Sequence, residues 1–398
     1  MNEEMNEDAT PKVYIIADNV AVELEYTYMI GCWEFGERDF KSVVIPEGIT
    51  IIRQEAFRGC SSLESIVIPN SITEISYDAF IGCDNLKIKW GDAFIEQDGV
   101  IYNSDKTKII FADNPVNVIL PDTVTEIPSK QFKNCASLIS VVIPDSVTKI
   151  GYSAFAICPS LRDIIIPESV TEIGSGMLVY CTSLNSVVIP ENITEIGVSF
   201  FRGCTSLKSL IIPKSVTSIG WMAFKECSSL ESIIVPESVT EIDNYAFGDC
   251  TSLKYIEIPK GLTRISCEMF ENCTSLESIE MPKHITTIGS SAFKGCTSLK
   301  SIIIPETVTE IGFRAFENCT SLKSIVIPES INLIGNDAFR GCDNLEIIWN
   351  DVFYLQDGVV YNSDKTRIVH LINPVNVVLP ETFTEIPSDR FRDWYSLK

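Results

Sequence analysis

Cysteines are the residues of this chain with the clearest potential for chemistry, and twelve of the fourteen follow one spacing. Ten recur every 23 residues, and two more repeat that step before a gap of 52 residues. This cysteine series consists of Cys60, Cys83, Cys135, Cys158, Cys181, Cys204, Cys227, Cys250, Cys273, Cys296, Cys319 and Cys342. Thiols at this density are typical of disulfide frameworks or metal sites. A fixed period instead indicates stacked repeats, with each thiol at the same place in its coil.

Disulfides, metal binding and core packing are the three interpretations of the series. Adjacent coils of a stacked sheet lie about 5 Å apart, but stacked side chains run parallel, whereas a disulfide needs its Cβ atoms about 3.8 Å apart. A metal site needs several converging ligands, and one cysteine per coil without histidine offers none. Because free cysteine is among the most buried residue types, we expect these thiols to fill the core, with no metal and no cofactor.

Catalytic groups other than thiols are scarce, since the chain has two histidines, His284 and His370. A nucleophilic site needs a base within hydrogen-bond reach of a serine or cysteine, and nearly every such residue near His284 belongs to the repeat. Asp98 and Asp105 lack the dense spacing of a calcium loop. The sequence carries no Walker loop, zinc motif or dinucleotide fingerprint. We therefore predict that the protein is not an enzyme.

Proline and phenylalanine recur with the same period and indicate the elements that hold each cysteine. The prolines of the repeat are Pro46, Pro69, Pro121, Pro144, Pro167, Pro190, Pro213, Pro236, Pro259, Pro282, Pro305, Pro328 and Pro380. The spacing L-x-x-I-x-I, as in Leu322, Ile325 and Ile327, is a strand signature of leucine-rich repeats. Proline ends that strand because it lacks an N–H. The following x-S-V-T-x-I predicts a turn and a short second strand, and Ala-Phe-x-x-Cys predicts a single 3₁₀ or α turn.

Glycine follows T-x-I, or N-L-I in one case, in seven copies, for example at Gly151 and Gly312. Such a glycine suggests a turn with positive φ. Pro128 and Pro387 occupy the same position, however, and proline cannot adopt positive φ. The position therefore predicts a need for a small residue more than for a special backbone conformation.

The repeat resembles the BspA-like class of leucine-rich repeats, through the motif LxSIxIPxSVTxIGxxAFxxC that runs from Leu299 to Cys319 and recurs from Phe40 to the C-terminus. The resemblance implies a β-rich right-handed solenoid of 23-residue coils, with a parallel sheet on one face and short helical turns on the other. Members are commonly surface proteins of bacteria or protists, and several are associated with adhesion. The resemblance thus implies a protein or extracellular-matrix ligand.

Two longer segments interrupt the regular repeat. Residues 86–114 and 345–373 are closely similar, lie 259 residues apart, and each places a Ser-Asp-Lys-Thr turn between alternating segments, which predicts a β-hairpin. Residues 1–39 are expected to cap the solenoid, which we expect to span 40–398. Trp394 replaces the expected cysteine near the end. We therefore expect the sequence to be part of a longer repeat protein, or else to self-associate end to end.

The net charge of −23, with 31 basic against 54 acidic residues, argues against a nucleic-acid partner. It favours solubility and self-avoidance, and it leaves open an attraction for basic partners. The chain lacks an apolar run long enough to insert in a membrane. Its first residues, MNEEMNEDAT, do not resemble a signal peptide, so the protein is intracellular or the sequence begins after a cleavage site.

The candidate binding face comes from the outward positions of the strand L-x-S-I-x-I. Its fifth position forms what we call the aliphatic stripe: Val67, Val142, Ile165, Val188, Ile211, Ile234, Ile303 and Val326. An exposed aliphatic row marks a binding surface, or it reflects strand propensity and side-by-side packing. Tyr255, Glu257 and Glu280 break the pattern in two adjacent coils, with His284 one turn on. A specific contact or drift between repeats explains this break equally well.

These observations predict a non-enzymatic protein-binding repeat protein, either a cell-surface adhesin or a secreted protein that contacts host or matrix. The alternative is an intracellular, cytoplasmic scaffold for protein interactions.

Overall fold

The computed structural model describes residues 14–18, 20–23, 28–372, 380 and 382. The chain forms two compact units, Met1–Pro159 and Ser160–Lys398. In both units the backbone pairs in parallel with the coil 23 residues away, as Ser42 pairs with Ser65 and Asp163 with Ser186. The predicted β-solenoid is therefore confirmed. The predicted features at Pro387 and Trp394, and the first part of the predicted cap, lie outside the described residues.

Unit 1 presents one strand per coil to a front sheet and a shorter strand to a second sheet. The front strands are Ser42–Val44, Ser65–Ile68 and Lys87–Trp90, then Asn117–Ile119 and Ser140–Val142. The second-sheet strands are Met29–Ile30, Ile51–Ile52 and Glu74–Ile75, then Glu126–Ile127 and Lys149–Ile150. An antiparallel hairpin, Tyr14–Ala17 and Val20–Glu23, adds to the edge of the first front strand.

Unit 2 repeats the same two strands in each coil. The front strands are Asp163–Ile165, Ser186–Val188, Ser232–Ile234, Tyr255–Glu257, Ser278–Ile279, Ser301–Ile302, Ser324–Ile327 and Glu346–Trp349. The coil of Ile211 joins this face through one isolated bridge to Ile234. The second-sheet strands are Glu172–Ile173, Glu195–Ile196, Ser218–Ile219, Glu241–Ile242, Arg264–Ile265, Thr287–Ile288, Glu310–Ile311 and Leu333–Ile334.

Each unit also contains one coil with a three-stranded antiparallel sheet. In unit 1 its strands are Phe94–Gln97, Val100–Asn103 and Ile109–Ala112, and in unit 2 they are Tyr354–Gln356, Val359–Tyr361 and Ile368–Leu371. The two turns have the same hydrogen bonds, since Thr107 N–H donates to Asp105 and Thr366 N–H donates to Asp364, both at 3.1 Å. The predicted hairpin is thus present in both long segments.

The core of each unit consists of columns of identical side chains. Phenylalanine rings stack face to face, with ring centroids 5.3 Å apart for Phe224 and Phe247. The cysteine series forms the neighbouring column, and each of its members is buried. The thiol of Cys250, for example, donates to the carbonyl of Phe224 at 3.2 Å. The prediction that these thiols fill the core is confirmed.

The Ala-Phe-x-x-Cys segments form turns, and no helix occurs in the part of the chain that the structure describes. In one coil the N–H groups of Met222, Phe224 and Glu226 all donate to carbonyls of the next coil, at 2.8–3.1 Å. Amides committed to the next coil cannot form a helical ladder within their own segment. The predicted helical turns are therefore single hydrogen-bonded turns, such as the one from Cys227 N–H to the Phe224 carbonyl.

The glycine that follows T-x-I has an ordinary negative φ in every described coil where it occurs. A Cβ added to Gly312 would lie 2.5 Å from the backbone nitrogen of Ser290 in the preceding coil. Coil-to-coil contact thus excludes a side chain at Gly312. Around Gly197 the nearest atom is 3.8 Å away, and Arg53 and Asp243 occupy the same position in other coils, so the predicted need for a small residue holds in some coils and not in all. The N–H at this position donates to the preceding coil, as Gly151 donates to Ile127 at 2.8 Å.

Candidate protein-binding face

The outward positions of the front strands are solvent-exposed, whereas their neighbours in sequence are buried. Ile211 is 87% exposed, Ile303 is 83% exposed and Ile234 is 69% exposed. Ile233 and Ile302, which point the opposite way, are buried. This alternation follows from the pleat of a β-strand. The front sheet therefore presents aliphatic side chains to solvent.

Members of the aliphatic stripe lie side by side within each unit. In unit 2, Ile165 pairs with Val188, and Ile211 bridges to Ile234. Val326 and Ile303 are exposed further along the same unit. In unit 1, Val142 is exposed and Val67 is half-buried. The longest exposed part of the stripe thus belongs to unit 2.

Three further exposed aliphatic residues were not predicted from the sequence. Val44, Ile119 and Ile348 occupy the same outward position, and Ile119 pairs directly with Val142. A signal for two of them was available, because Val44 and Ile119 each stand two residues before a proline of the repeat. Ile348 lacks that signal, since asparagine replaces its proline.

The residues that break the stripe line a single groove in unit 2, which we call the acidic groove. Its lining consists of Glu237, Tyr255, Glu257, Ile258, Lys260, Glu280, Met281, Pro282, Lys283 and His284. Ile258 and Met281 are buried and form its floor, and Tyr255 is half-exposed. Glu257, Glu280 and His284 are exposed. The structure thus brings together the four residues at which the sequence departs from its repeat, and it adds Glu237, Lys260 and Lys283, which the repeat pattern does not distinguish.

Lysines near the groove are paired with glutamates of the preceding coil. Lys260 Nζ lies 3.7 Å from Glu237, and Lys254 Nζ lies 3.8 Å from Glu231. Lys300 pairs with Glu277 in the same way, and this ion pair lowers the pKa of the Glu277 carboxyl. Among the described residues, no ion pair involves Glu257 or Glu280. The groove therefore carries two carboxylates available to a partner.

A cluster in unit 1 places a lysine between two tyrosines. Lys130 Nζ lies 5.6 Å from the ring centre of Tyr77 and 5.2 Å from that of Tyr152. Burial and the nearby Asp78 raise the pKa of Tyr77 to about 12. The Asp78 carboxylate is buried and accepts a 2.7 Å hydrogen bond from Ser76. Because these groups satisfy one another, we assign the cluster to packing of the coils.

The two histidines lie in different surroundings. His284 is exposed at the acidic groove. His370 is buried in the antiparallel sheet of unit 2, with its ring centre 6.2 Å from those of Phe339 and Trp349. Within the described residues, no group of three histidine, cysteine, aspartate or glutamate side chains is arranged to hold a metal ion.

Burial governs the chemistry of the thiols in the middle of the cysteine series. It raises the pKa of Cys135 to about 12 and those of Cys227, Cys250 and Cys273 well above their ordinary value. A thiol needs its thiolate form to react or to bind metal. These side chains therefore act as apolar filling.

None of the described residues forms a helix with the length and apolar character required to cross a bilayer.

Comparisons with known proteins agree with this architecture. The sequence profile described as "BspA type Leucine rich repeat region (6 copies)" matches residues 29–111, 108–231 and 217–346. A leucine-rich repeat protein from Bacteroides ovatus is 26% identical with a TM-score of 0.53, over 87% of this chain and 91% of that one. A leucine rich cell surface protein from Faecalibacterium prausnitzii is 29% identical with a TM-score of 0.51, over 86% and 96% of the two chains. No curated protein matches the chain. The matched profile, the repeat and the parallel coils together place this chain in the BspA-type leucine-rich repeat family.

Proposed function

We propose that the protein is a non-enzymatic binding protein, displayed at the cell surface or secreted, whose ligand is a host, microbial or matrix protein. The observation that carries this proposal is the exposed aliphatic stripe of unit 2, where Ile211 and Ile234 lie side by side and face solvent. Leucine-rich repeat families favour protein interaction over catalysis, which supports a binding role.

The surface location rests on likeness to a relative. The Faecalibacterium prausnitzii protein, 29% identical over most of both chains, is described as a leucine rich cell surface protein. The acidity of this chain, with a net charge of −23, suits a solvent-exposed, self-repelling molecule.

Energetics support the stripe as the contact surface. Removing a fully exposed isoleucine side chain from water is worth about 1.5–3 kcal/mol. Ile211 and Ile303 are more than four-fifths exposed and gain almost nothing from their present environment. A partner that covers them gains this energy without reorganising the sheet, because neighbouring coils already fix the backbone.

The test replaces two adjacent stripe residues with charged ones. We expect Ile211→Glu/Ile234→Glu to lose binding to purified extracellular-matrix and epithelial surface proteins, because each glutamate would have to be desolvated in the interface. The matched control is Thr217→Glu/Thr240→Glu, which adds the same charge at exposed positions outside the stripe. Binding is measured by surface plasmon resonance, with circular dichroism to verify folding. Equal binding by both double variants would contradict the stripe as the contact surface.

A further inference from the structure

The acidic groove interrupts an otherwise apolar surface in the middle of unit 2. Ile234 pairs with the strand that ends at Glu257, and Ile303 lies one coil beyond Glu280. Both isoleucines are strongly exposed. A ligand that covers the front sheet of unit 2 must therefore meet an apolar patch, two carboxylates and a second apolar patch.

The two carboxylates lack the ion pairs that neighbouring glutamates form. Glu237 pairs with Lys260 and Glu277 pairs with Lys300, in each case 23 residues along the chain. Among the described residues, Glu257 and Glu280 form no such pair, although both are exposed. The β-branched residue found in most other coils would fit a pleated surface better. Positions where local preference and fold disagree in this way are typical of functional sites.

The groove around these carboxylates offers an apolar floor and an aromatic side. Ile258 and Met281 form the floor, and Tyr255, whose ring is half-exposed, belongs to the same strand as Glu257. Lys260 is engaged by Glu237, while Lys283 and His284 stand beyond Pro282 at the end of the groove. A carboxylate accepts two parallel hydrogen bonds from a guanidinium, and an aromatic face stacks on the guanidinium plane.

We propose that the acidic groove receives an arginine side chain of a protein ligand, whose apolar side chains on either side of that arginine cover Ile234 and Ile303. This inference rests on the proposed binding function and adds the chemistry of the ligand. The carboxylates of Glu257 and Glu280 supply charge complementarity, and the isoleucines supply burial. The groove thereby selects one ligand from the many apolar surfaces that the stripe alone would accept.

The experiment uses the full chain and a series of labelled peptides. Each peptide alternates valine and serine and carries arginine, lysine, citrulline or glutamate at its centre. We expect the arginine peptide to bind about tenfold or more tightly than the citrulline peptide, which has the same shape without charge. The preference should shrink as salt rises from about 0.05 to 0.5 M, since salt screens exposed charges. Fluorescence anisotropy gives each dissociation constant.

Variants of the groove separate this inference from its alternatives. We expect Glu257→Gln/Glu280→Gln to abolish the preference for arginine, while Glu195→Gln/Glu310→Gln, an equal charge change on the second sheet, retains it. Glu257→Ile/Glu280→Ile should also lose the preference and yet unfold at a higher urea concentration, because isoleucine suits a pleated strand surface better than glutamate. If Glu257 and Glu280 had only a structural role, the variants that lose binding would also lose stability.

The outcomes are distinct for the two proposals. Equal affinity for the arginine and citrulline peptides, a preference that survives in Glu257→Gln/Glu280→Gln, or no binding by any peptide overturns the arginine site. If Ile211→Glu/Ile234→Glu loses the protein ligand while Glu257→Gln/Glu280→Gln keeps it, the binding function stands and only the arginine site fails. If the stripe variant keeps the ligand, the binding function itself fails.

Discussion

The residue before each member of the cysteine series has a left-handed backbone, with φ from 57° at Tyr180 to 80° at Gly82. Glycine, asparagine or aspartate, which tolerate this region, occupies nine of the twelve positions: Gly59, Gly82, Asn134, Gly203, Asp249, Asn272, Gly295, Asn318 and Gly341. The sequence analysis considered the glycine after T-x-I and missed the position before each cysteine. The enrichment just before cysteine was the available signal.

Ile157 is the least suitable residue at this position, because a β-branched side chain is strained at its φ of 59°. We expect Ile157→Asn to raise the free energy of unfolding by about 1 kcal/mol through relief of that strain. Urea denaturation followed by tryptophan fluorescence measures the change. Ile139→Asn is the control, since Ile139 is similarly exposed, 36% against 40%, and has no positive φ. A gain of the same size in both variants would contradict strain as the cause.

At the scale of the element, the phenylalanine column is maintained by compensation between coils. Leu178 replaces the ring in one coil, and in the next coil Phe200 occupies the position that usually carries alanine. Phe200 is buried, with its ring centre 4.6 Å from that of Phe201. The backbone of Leu178 donates to the Phe200 carbonyl at 3.1 Å, so the two residues are neighbours. Phe200 thus adds a buried ring one coil beyond Leu178, and the buried Met177 replaces the usual alanine of the Leu178 coil.

This compensation predicts strong coupling between the two positions. Leu178→Phe alone should destabilise the protein by about 1–3 kcal/mol, because it overpacks a filled core. Phe200→Ala alone should cost about 3–5 kcal/mol through the cavity it leaves. The double variant restores the usual phenylalanine and alanine, and we expect its loss to be smaller than either single loss. A double-mutant cycle in urea measures the coupling, and additive losses would contradict it.

The elements differ in how far the sequence could predict them. The strands and hairpins were predictable because their patterns are local: Leu322, Ile325 and Ile327 alternate around outward residues, and the two hairpin segments share one turn. The hydrogen bonds that the Ala-Phe-x-x-Cys turn donates to the next coil could not be predicted, because they depend on where that coil lies. The acidic groove was predicted only as an irregularity at Tyr255, Glu257, Glu280 and His284. Its floor is formed by Ile258 and Met281, which stand before a proline at a position that the repeat fills with an apolar residue in every coil.

At the scale of the whole molecule, stability accumulates from contacts between neighbouring coils. A regular coil adds one phenylalanine, one leucine and one thiol to the columns of its unit. Any property of one buried thiol is therefore multiplied by repetition. Five consecutive members of the series, Cys204, Cys227, Cys250, Cys273 and Cys296, have their pKa values raised by burial.

This repetition predicts sensitivity to alkaline pH. Because the pKa of a buried thiol is higher in the folded protein than its ordinary 9.0, the unfolded chain ionises first. The free energy of unfolding therefore has its full value below about pH 9. Above that pH it falls by about 1.4 kcal/mol per pH unit for each buried thiol. Urea midpoints between pH 7.5 and 10, under reducing conditions, measure this slope. Cys227→Ala/Cys250→Ala should show a shallower slope, and a midpoint that does not change up to pH 10 would contradict the prediction.

The second sheet of unit 1 is interrupted at the antiparallel coil, where Glu74–Ile75 and Glu126–Ile127 belong to separate sheets. A strand without a partner on one side is a template on which another chain can aggregate. Pro128 lies just past this strand. At the equivalent position, most other coils have an N–H that donates to the preceding coil. Proline has no such donor, so it denies an incoming strand a hydrogen bond at that point. Pro128 thereby protects this strand against edge-to-edge pairing with another chain, at the point where the ladder of unit 1 is interrupted.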